Sequence, residues 1–574
     1  MGAAHSQPAG AALPSLFPFE PEDPAAHIRM AVNLDPSSLL LARATSEDFR
    51  RISARCAFSP DRVVADRTSM IALFSSLSVR LGAFRARWTR CLGPNSPAIR
   101  VNLPLMYFST SHFAYDDQDF VRDLALGMPI AGDVPASGSL RPRVRPAVVS
   151  LAEWRASLPA RNRTILDHVM GMRGDPLVGT CCAKCMEELQ RGWLTPPVEV
   201  TPAMVATIAL TPRFAIEEQH GGRAKKVRLI YDFRMSGIND TPSLVDTSIP
   251  ENLDAFLATV ARYRHLGPTL PTASYSLDFS HAYKHVPIIA SHKEFATIVF
   301  LGPDGRAYSP LLLSQPFGSR RAPSNWARVT QFPKWVLSSF FNITISVYVD
   351  DIHGTEPMST VQSAFSTIKM VCELFGLVLG APKEISPCNS MQLLGAQIDV
   401  HLGSISASLP SQKASALISD LEAVARRGRL TPDAAANLRG RLGFAQSLLF
   451  GRVGRAHLAP FSDRQYSRTE CTRYPLNEDL RDAIRRWVKT LKSPVPRSVS
   501  FAQRKPALVY TDACGTGHIG AVVIINGTTH CVSTHLPARF ASARDKITEY
   551  ELVATVLGIV VARHICPGTP VLLC

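Results

Sequence analysis

Short runs of alternating apolar and polar residues dominate the middle of the chain, between about residues 197 and 400. Their two-residue period is typical of strands, and the runs are VRLIYDF, ASYSLDF, ATIVFL, ITISVYV and LLGAQIDV. Segments with the apolar spacing of helices alternate with them, as in ENLDAFLATVARY and TVQSAFSTIKMVCELFG. This region is therefore predicted to be a mixed α+β fold.

Helical patterns flank this region on both sides. Ser46–Cys56 and Met70–Leu92 have helical spacing on the N-terminal side, and helices follow from Ser411 to about Leu458. Thr431 is a suitable N-cap, and Pro432 suits the first helical position after it. Between the N-terminal helices and the α+β region, proline and arginine cluster in Ser137–Ser150, which predicts a linker.

Charge and composition narrow the class of protein. Among 574 residues, Lys and Arg number 62 and Asp and Glu 47, a net charge of +15 that favours a polyanionic partner such as nucleic acid. A hydrophobic content of 46% excludes wholesale disorder. No apolar run is long enough for a membrane span or is placed as a secretory signal. The 12 cysteines are scattered, which favours reduced thiols inside the cell, in cytoplasm or nucleus.

Paired acids are the strongest chemical feature. The run Ile345–Gly354 delivers Asp350 and Asp351 at a predicted hairpin, and Asp278 ends another predicted strand. If the two strands are neighbours, the three carboxylates would hold two Mg²⁺ ions, with Mn²⁺ as an alternative, for phosphoryl transfer. A solvated turn is the alternative for the Asp–Asp pair alone.

Six segments in chain order resemble the reverse transcriptases of retroelements. They are KKVRLIYDFRMSGIN, LDFSHAYKHVP, SQPFGSRRAP, YVDD, FGLVLGAPK and LLGAQI. The resemblance implies an α+β right-hand polymerase with fingers, palm and thumb. It assigns the fingers and palm to 197–405 and a helical thumb or connection to 406–500. A mostly helical, partly disordered N-terminal extension (1–140) and a helical connector (141–196) would precede them.

The resemblance also implies roles for single residues. Asp278, Asp350 and Asp351 would be the metal ligands and catalytic acids, and Lys383 a proton donor to pyrophosphate. Tyr283 would exclude a 2′-hydroxyl and so select deoxyribonucleotides. The nucleotide-binding set is Lys225, Lys226, Arg228, Phe279 (through its backbone), Tyr283, Phe317 and Gly318.

Arginines supply the predicted nucleic-acid contacts. Arg320 and Arg321 are candidates for template phosphate. The predicted thumb carries seven arginines and one acid, Asp433, between residues 426 and 455. Such density suits duplex backbone contacts, and the candidates there are Arg439, Arg441 and Arg452. A solvated helix surface is the alternative.

The last segment, 506–574, resembles the start of an RNase H-like α/β domain. Asp512 ends its first predicted strand, and Glu551 lies on the helix Lys546–Ile565, with Glu549 as the alternative. The sequence ends at Cys574, before a third acid is met. Little or no RNase H activity is therefore expected.

The leading interpretation is an RNA-directed DNA polymerase of a DIRS-like or gypsy-like retrotransposon. Its partners would be an RNA or DNA template, a primer and deoxynucleoside triphosphates, with no membrane. One alternative is a catalytically inactive nucleic-acid-binding remnant. Another, an RNA-dependent RNA polymerase, is disfavoured by Tyr283 and by the RNase H-like segment.

Overall fold

A computed structural model describes most of the chain, namely residues 47–92, 96–218, 226–267, 269–467, 473–500, 506–537, 547–567, 569 and 571–573. The described residues form two compact units that separate near residue 501. The first unit spans Thr45–Phe501, and the second contains the described residues from 506 onward.

Helices and strands alternate along both units. The helices are α1 (Glu47–Phe58), α2 (Pro60–Arg80), α3 (Gly82–Leu92), α4 (Leu103–His112), α5 (Phe120–Leu126), α6 (Leu151–Ala156), α7 (Leu158–Met170), α8 (Val178–Gln190), α9 (Pro202–Thr207), α10 (Leu253–Leu266), α11 (Ala322–Phe340), α12 (Val361–Phe375), α13 (Ser411–Arg427), α14 (Pro432–Ser447), α15 (Ala459–Gln465), α16 (Glu478–Lys492) and α17 (Ile547–Ile565). The strands are β1 (Arg141–Arg145), β2 (Val198–Glu199), β3 (Thr211–Glu218), β4 (Lys226–Tyr231), β5 (Leu244–Thr247), β6 (Thr272–Asp278), β7 (Ile298–Leu301), β8 (Ala307–Ser309), β9 (Ser346–Tyr348), β10 (Asp351–Pro357), β11 (Ile385–Cys388), β12 (Ser390–Leu393), β13 (Ala396–Val400), β14 (Ser404–Ser408), β15 (Arg497–Ser500), β16 (Ala507–Ala513), β17 (His518–Ile525), β18 (Thr528–His535) and β19 (Val571–Leu573).

An antiparallel sheet in the order β11-β6-β10-β9, here called the central sheet, lies at the middle of the first unit. Every residue of β6 is buried. Helices α11 and α12 share the core of this sheet through side chains such as Trp326, Phe332 and Ile368. Each such side chain contributes roughly 1.5–3 kcal/mol by leaving water. The core therefore fixes the positions of the strand ends.

The N-terminal helices belong to the same core. Phe74 of α2 lies 5.5 Å, ring to ring, from Phe340 and 6.1 Å from Phe375. Arg67 of α2 forms a fully buried ion pair with Glu356 of β10, at 2.8 Å. The described part of the segment assigned to an extension is thus packed against the central sheet.

The linker expected over Ser137–Ser150 is corrected by the structure. Arg141–Arg145 forms strand β1, which pairs antiparallel with β5. All five residues of β1 are exposed. An exposed strand rich in arginine lacks the apolar alternation of a half-buried strand, so composition alone pointed to a loop.

A second, five-stranded sheet has the order β2-β8-β7-β3-β4. Strands β3 and β7 are parallel, and the other neighbours are antiparallel. Helices α6 and α8 pack on it through Trp154, Cys181 and Cys185. Cys181 and Cys185 are therefore part of a core.

The region after the central sheet is mainly helical. Strands β12-β13-β14-β15 form an antiparallel sheet against α13, α14 and α16. Helix α13 ends at Gly428, whose φ of +67° gives the left-handed cap that glycine adopts readily. Helix α14 begins as predicted, with the Thr431 side chain accepting from the backbone N–H of Ala434. These caps set the angle between the two helices.

The second unit is a small α/β layer. Its strand order is β18-β17-β16-β19, with β16 and β19 parallel and joined through α17. Gly558 of α17 lies against Val509 and Thr511, so the helix approaches the sheet closely. Across the described part of both units, every helix is too short or too polar to cross a membrane.

Candidate active site

Three aspartates meet at one end of the central sheet. Asp278 ends β6 and Asp351 begins β10, and the two are paired directly across the antiparallel ladder. Asp350 precedes Asp351 in the turn from β9. Carboxylate oxygens of the three lie within 4.8 Å of one another. The expected convergence of residues more than seventy positions apart is therefore confirmed.

The turn that carries Asp350 has an unusual backbone. Val349 has a φ of +59°, in the left-handed region that a β-branched residue adopts only under strain. Two hydrogen bonds hold this turn. Trp326 Nε1 donates to the Val349 carbonyl at 2.7 Å, and the Phe279 amide donates to the Asp350 carbonyl at 2.8 Å. The surrounding core thus fixes the Asp350 backbone beside Asp278.

Burial and mutual repulsion disturb the acids. Burial raises the pKa of Asp351 to about 6, and the negative charges of Asp350 and Asp278 add to this effect. The same two causes, burial and then Asp278, raise the pKa of Asp350. Lys383 Nζ lies 2.8 Å from Asp278 Oδ1, and this hydrogen bond raises the pKa of the lysine. A concentrated negative charge of this kind favours cation binding.

The site fits a hard divalent cation. Carboxylate oxygens are the donors that Mg²⁺ and Mn²⁺ prefer, and these three acids form the candidate metal group found among the described residues. Gly380 leaves room at the edge of the cluster, because a Cβ there would lie 3.1 Å from Asp278 Oδ2. Asp278, Asp350 and Asp351 would be the protein ligands.

Two aromatic rings form a wall next to the acids. The Tyr283 and Phe317 rings are 4.8 Å apart between centroids. Tyr283 is 9% exposed, whereas Phe317 is 48% exposed. Burial, followed by the charge of Asp350, raises the pKa of Tyr283. A small planar group bound here would be bounded by a fixed tyrosine.

The loop after Phe317 is held rigidly. Gly318 has a φ of +95°, and a Cβ there would lie 2.6 Å from the Tyr231 carbonyl, so only glycine fits. Asn239 Nδ2 donates to the Gly318 carbonyl at 2.9 Å, and the Arg320 amide donates to Asn239 Oδ1 at 2.7 Å. These bonds tie the loop to the turn after β4.

Comparison with known proteins gives structural similarity at low identity. No protein-family profile matches the sequence, and no curated protein matches it. A foamy viral protease–reverse transcriptase in complex with dsDNA is 16% identical, with a TM-score of 0.41, over 70% of this chain and 74% of that chain. Its dRH form with dsDNA is 16% identical, with a TM-score of 0.42, over 82% and 74%. The same protein with an RNA/DNA hybrid is 14% identical, with a TM-score of 0.41, over 82% and 56%.

The predicted phosphate-binding residues are only partly placed. Lys225 lies outside the described residues, as does the side chain of Lys226. Arg228 is exposed on β4, opposite Ile216 of β3. Phe279 was expected to contact phosphate through its backbone, and its backbone amide donates to the Asp350 carbonyl. The structure therefore gives that amide a structural role.

Arg321 is corrected as a template contact. It is 2% exposed, and its Nη1 lies 3.8 Å from the buried Asp246 carboxylate. A side chain enclosed in this way has no surface for a phosphate. Arg320 is half-buried, and its Nη1 donates to the Asn239 carbonyl at 3.3 Å.

The arginines of the helical region lie at the surface. Arg439 on α14 donates to Gln465 at 3.3 Å, and Arg441 pairs with Asp420 of α13 at 2.6 Å. Arg452 is exposed on a single helical turn that follows α14. Exposed pairs of this kind contribute little to stability, so these arginines are free to exchange partners for phosphates.

In the second unit, Asp512 and Glu551 come from neighbouring elements. Asp512 is exposed near the end of β16, and Glu551 is exposed in the first part of α17. Thr511 Oγ1 lies 3.3 Å from Thr555 Oγ1, one helical turn after Glu551. Glu549 is also exposed on the same turn. No third carboxylate joins Asp512 and Glu551 among the residues described here.

Sequence reasoning missed Trp326 and Asn239, which position the site without touching its centre. Trp326 is an apolar residue on a helix, and nothing in its spacing points to the turn it supports. Asn239 lies in one of the six quoted segments, two residues after Gly237. Its position as a polar residue in a predicted turn was the one feature of the sequence that could have pointed to a positioning role.

Proposed function

We propose that this chain is an RNA-directed DNA polymerase that adds deoxyribonucleotides to the 3′-hydroxyl of a primer. The observation that carries the proposal is the set of Asp278, Asp350 and Asp351 within 4.8 Å, beside the wall formed by Tyr283 and Phe317. The central sheet would be the palm, the five-stranded sheet the fingers, and helices α13 to α16 the thumb.

Each part of the site would have a separate role. Bound divalent ions would lower the pKa of the primer hydroxyl and offset charge on the phosphates. Tyr283, fixed by burial, would exclude a ribose 2′-hydroxyl. Lys383 would hold a proton at Nζ for the departing pyrophosphate, because a lysine ammonium is protonated at neutral pH.

The nucleic-acid partner is supported by charge. A net charge of +15 favours a polyanion, and Arg439, Arg441 and Arg452 are at the surface of the proposed thumb. Arg320 remains a candidate for template phosphate. We propose a primed RNA or DNA template, and an origin in a DIRS-like or gypsy-like retrotransposon.

For the second unit we propose an RNase H-like layer with weak or no hydrolytic activity. Asp512 and Glu551 are on adjacent elements, but two carboxylates hold two metal ions less firmly than three or four. The expected result is that hydrolysis of the RNA strand of a labelled RNA/DNA hybrid stays at the level of an Asp512→Asn variant. Faster hydrolysis by the unaltered chain would contradict this.

Primer extension tests the polymerase proposal. A labelled DNA primer on an RNA template with Mg²⁺ should be extended with deoxynucleoside triphosphates and not with ribonucleoside triphosphates. Binding of the primer–template without extension by either substrate would instead support the inactive remnant. Extension with ribonucleotides would support an RNA polymerase.

A further inference from the structure

Three positive side chains and a histidine lie around Trp193, and one of them, Lys284, follows Tyr283 on the same helical turn. Arg100, Arg191, His281 and Lys284 surround Trp193, and we call these five residues the basic cluster. They come from three separate parts of the chain: the turn Pro97–Arg100, the end of α8, and the turn Ala282–His285 with its N-cap His281. None of the five had a role in the sequence analysis.

The geometry of the basic cluster is compact. The guanidinium carbons of Arg100 and Arg191 lie 5.7 and 5.1 Å from the centre of the Trp193 ring, and Lys284 Nζ lies 5.7 Å from it. Arg191 Nη1 donates to His281 Nε2 at 2.8 Å. Arg100 donates to the carbonyl of Arg191. Three cations thus converge on one aromatic ring.

The positive charge of this region exceeds the negative charge that faces it. Glu188 accepts from the Tyr231 hydroxyl at 2.7 Å and pairs with Arg213 at 3.0 Å and, more loosely, with Lys284 at 3.8 Å. One carboxylate therefore faces two buried cations. Within the described part of the chain, neither Arg100 nor Arg191 has a carboxylate at ion-pair distance.

Donors in the basic cluster lack acceptors. Trp193 is 6% exposed and Lys284 is 3% exposed. Among the described residues, Trp193 Nε1 and Lys284 Nζ are buried without a hydrogen-bond partner. Buried donors without a hydrogen-bond acceptor are unfavourable. Burial also lowers the pKa of Lys284 to about 8, because the enclosed ammonium group is poorly solvated. An anion with several oxygens would satisfy these donors.

The basic cluster is close to the three acids. His281 is three residues after Asp278, a span of at most about 11 Å. Tyr283 and Lys284 are adjacent, yet the first faces Asp350 and the second faces Glu188. The turn Ala282–His285 therefore joins a residue close to the acids with a residue of the basic cluster.

We propose that the basic cluster binds a polyphosphate: the terminal phosphates of the incoming nucleoside triphosphate or the pyrophosphate released from it. The proposal rests on the proposed polymerase function. Arg100 and Arg191 supply the mobile cations at the surface, because both are exposed. Trp193 and Lys284 form the buried floor. Charge-assisted hydrogen bonds to phosphate are among the stronger polar contacts in proteins.

Calorimetric titration with inorganic pyrophosphate in EDTA tests the site directly, because chelation removes metal-dependent binding at the acids. The variants are Arg191→Gln and Arg100→Gln, with Arg163→Gln as the matched control on the exposed surface of α7. We expect each cluster variant to weaken pyrophosphate binding about tenfold and the control to match the unaltered protein. Equal affinities for all four proteins would overturn the proposal.

Primer extension and primer–template binding separate the two sources of phosphate. A raised KM for deoxynucleoside triphosphate would assign the site to the substrate, and a change only in product inhibition by pyrophosphate would assign it to the product. Weaker primer–template binding with unchanged KM and inhibition would mean a backbone contact and overturn the proposal. Pyrophosphate binding that depends on Arg191, in a protein that extends no primer, would keep the site and reject the polymerase.

Discussion

At the scale of single residues, the candidate active site holds mutually repelling carboxylates together in a partly buried position. Three carboxylates are held within 4.8 Å, and only the exposed Lys383 offsets their charge directly among the described residues. The strained Val349 keeps this arrangement, with Trp326 bonded to its carbonyl. A bound cation would offset this repulsion among the three carboxylates and so stabilise the site.

The raised pKa of Asp351 predicts how stability depends on pH. Its folded-state pKa of about 6 is above the ordinary value of 3.8. The folded protein therefore binds the proton more tightly, and this stability is present below about pH 4 and lost as the pH rises through about 6. In EDTA at pH 7.5, Asp351→Asn should raise the free energy of unfolding by about 1 kcal/mol, a value reduced for solvent screening.

Urea unfolding of both proteins at pH 4 and pH 7.5 measures this difference. The gain from Asp351→Asn should shrink towards zero at the lower pH. Exposed Asp463 on α15 provides the control, and Asp463→Asn should show no such trend. A variant that is less stable than the unaltered protein at pH 7.5 would contradict the repulsion.

Tyr283 should determine which sugar is accepted. Replacing it with alanine opens the wall beside Phe317, so the ratio of kcat/KM for deoxyribonucleotides over ribonucleotides should fall at least about tenfold. Tyr283→Phe keeps the ring and should preserve the ratio. Single-nucleotide incorporation kinetics measure both variants. An unchanged ratio in Tyr283→Ala would remove the sugar-selection role.

The positions of the site residues were predictable where they followed from a strand-like pattern in the sequence. Asp278, Asp350 and Asp351 ended or began strand-like runs, and strand pairing then brought them together. The burial of Arg321 was not predictable, because its partner Asp246 is on a strand whose pairing depends on β1, a segment with the composition of a linker. The left-handed backbone of Val349 also had no signal, since valine normally avoids it.

At the scale of elements, the N-terminal helices are anchored by one buried ion pair. Arg67 of α2 and Glu356 of β10 are 1% and 0% exposed, and Arg67 also donates to the carbonyls of Phe341 and Asn342. The sequence predicted helices here but not their partner. Arg67 and Glu356 are 289 positions apart, so no local sequence pattern predicts their contact.

Breaking this pair from one side should be costly. Glu356→Gln leaves a buried guanidinium uncompensated, and we expect a loss of about 3–5 kcal/mol in the free energy of unfolding. The double variant Arg67→Met/Glu356→Leu removes both charges and should recover part of that loss. Chemical unfolding of Arg67→Met, Glu356→Leu and the double variant gives the coupling energy. Additive losses would mean that the two side chains do not depend on each other.

Helix starts and strand ends were also predictable, because short-range chemistry sets them. The Thr431 cap and the following Pro432 lie where the sequence placed them. Strand β1 did not follow its composition, because its stability comes from pairing with β5 and not from burial of its own side chains. Strand β1 therefore forms because of its tertiary pairing with β5, which the local sequence pattern did not indicate.

At the scale of the whole molecule, the acids of the candidate active site and the positively charged side chains occupy different regions. The acids are concentrated at the end of the central sheet, whereas positive charge is found in the basic cluster and on helices α13 to α16. An excess of +15 over the full chain then favours a nucleic acid, while the acids select the ion. This division is what a template-directed polymerase needs.

The most direct test of the central claim is the single-turnover rate of primer extension with Mg²⁺, measured together with primer–template affinity, for Asp278→Asn, Asp350→Asn and the control Asp463→Asn. We expect the first two to lose about 10³-fold in rate or more, with affinity within about twofold of the unaltered protein, and the control to retain both. Extension by Asp350→Asn at a rate close to that of the unaltered protein would contradict the assignment of the three aspartates as the catalytic centre.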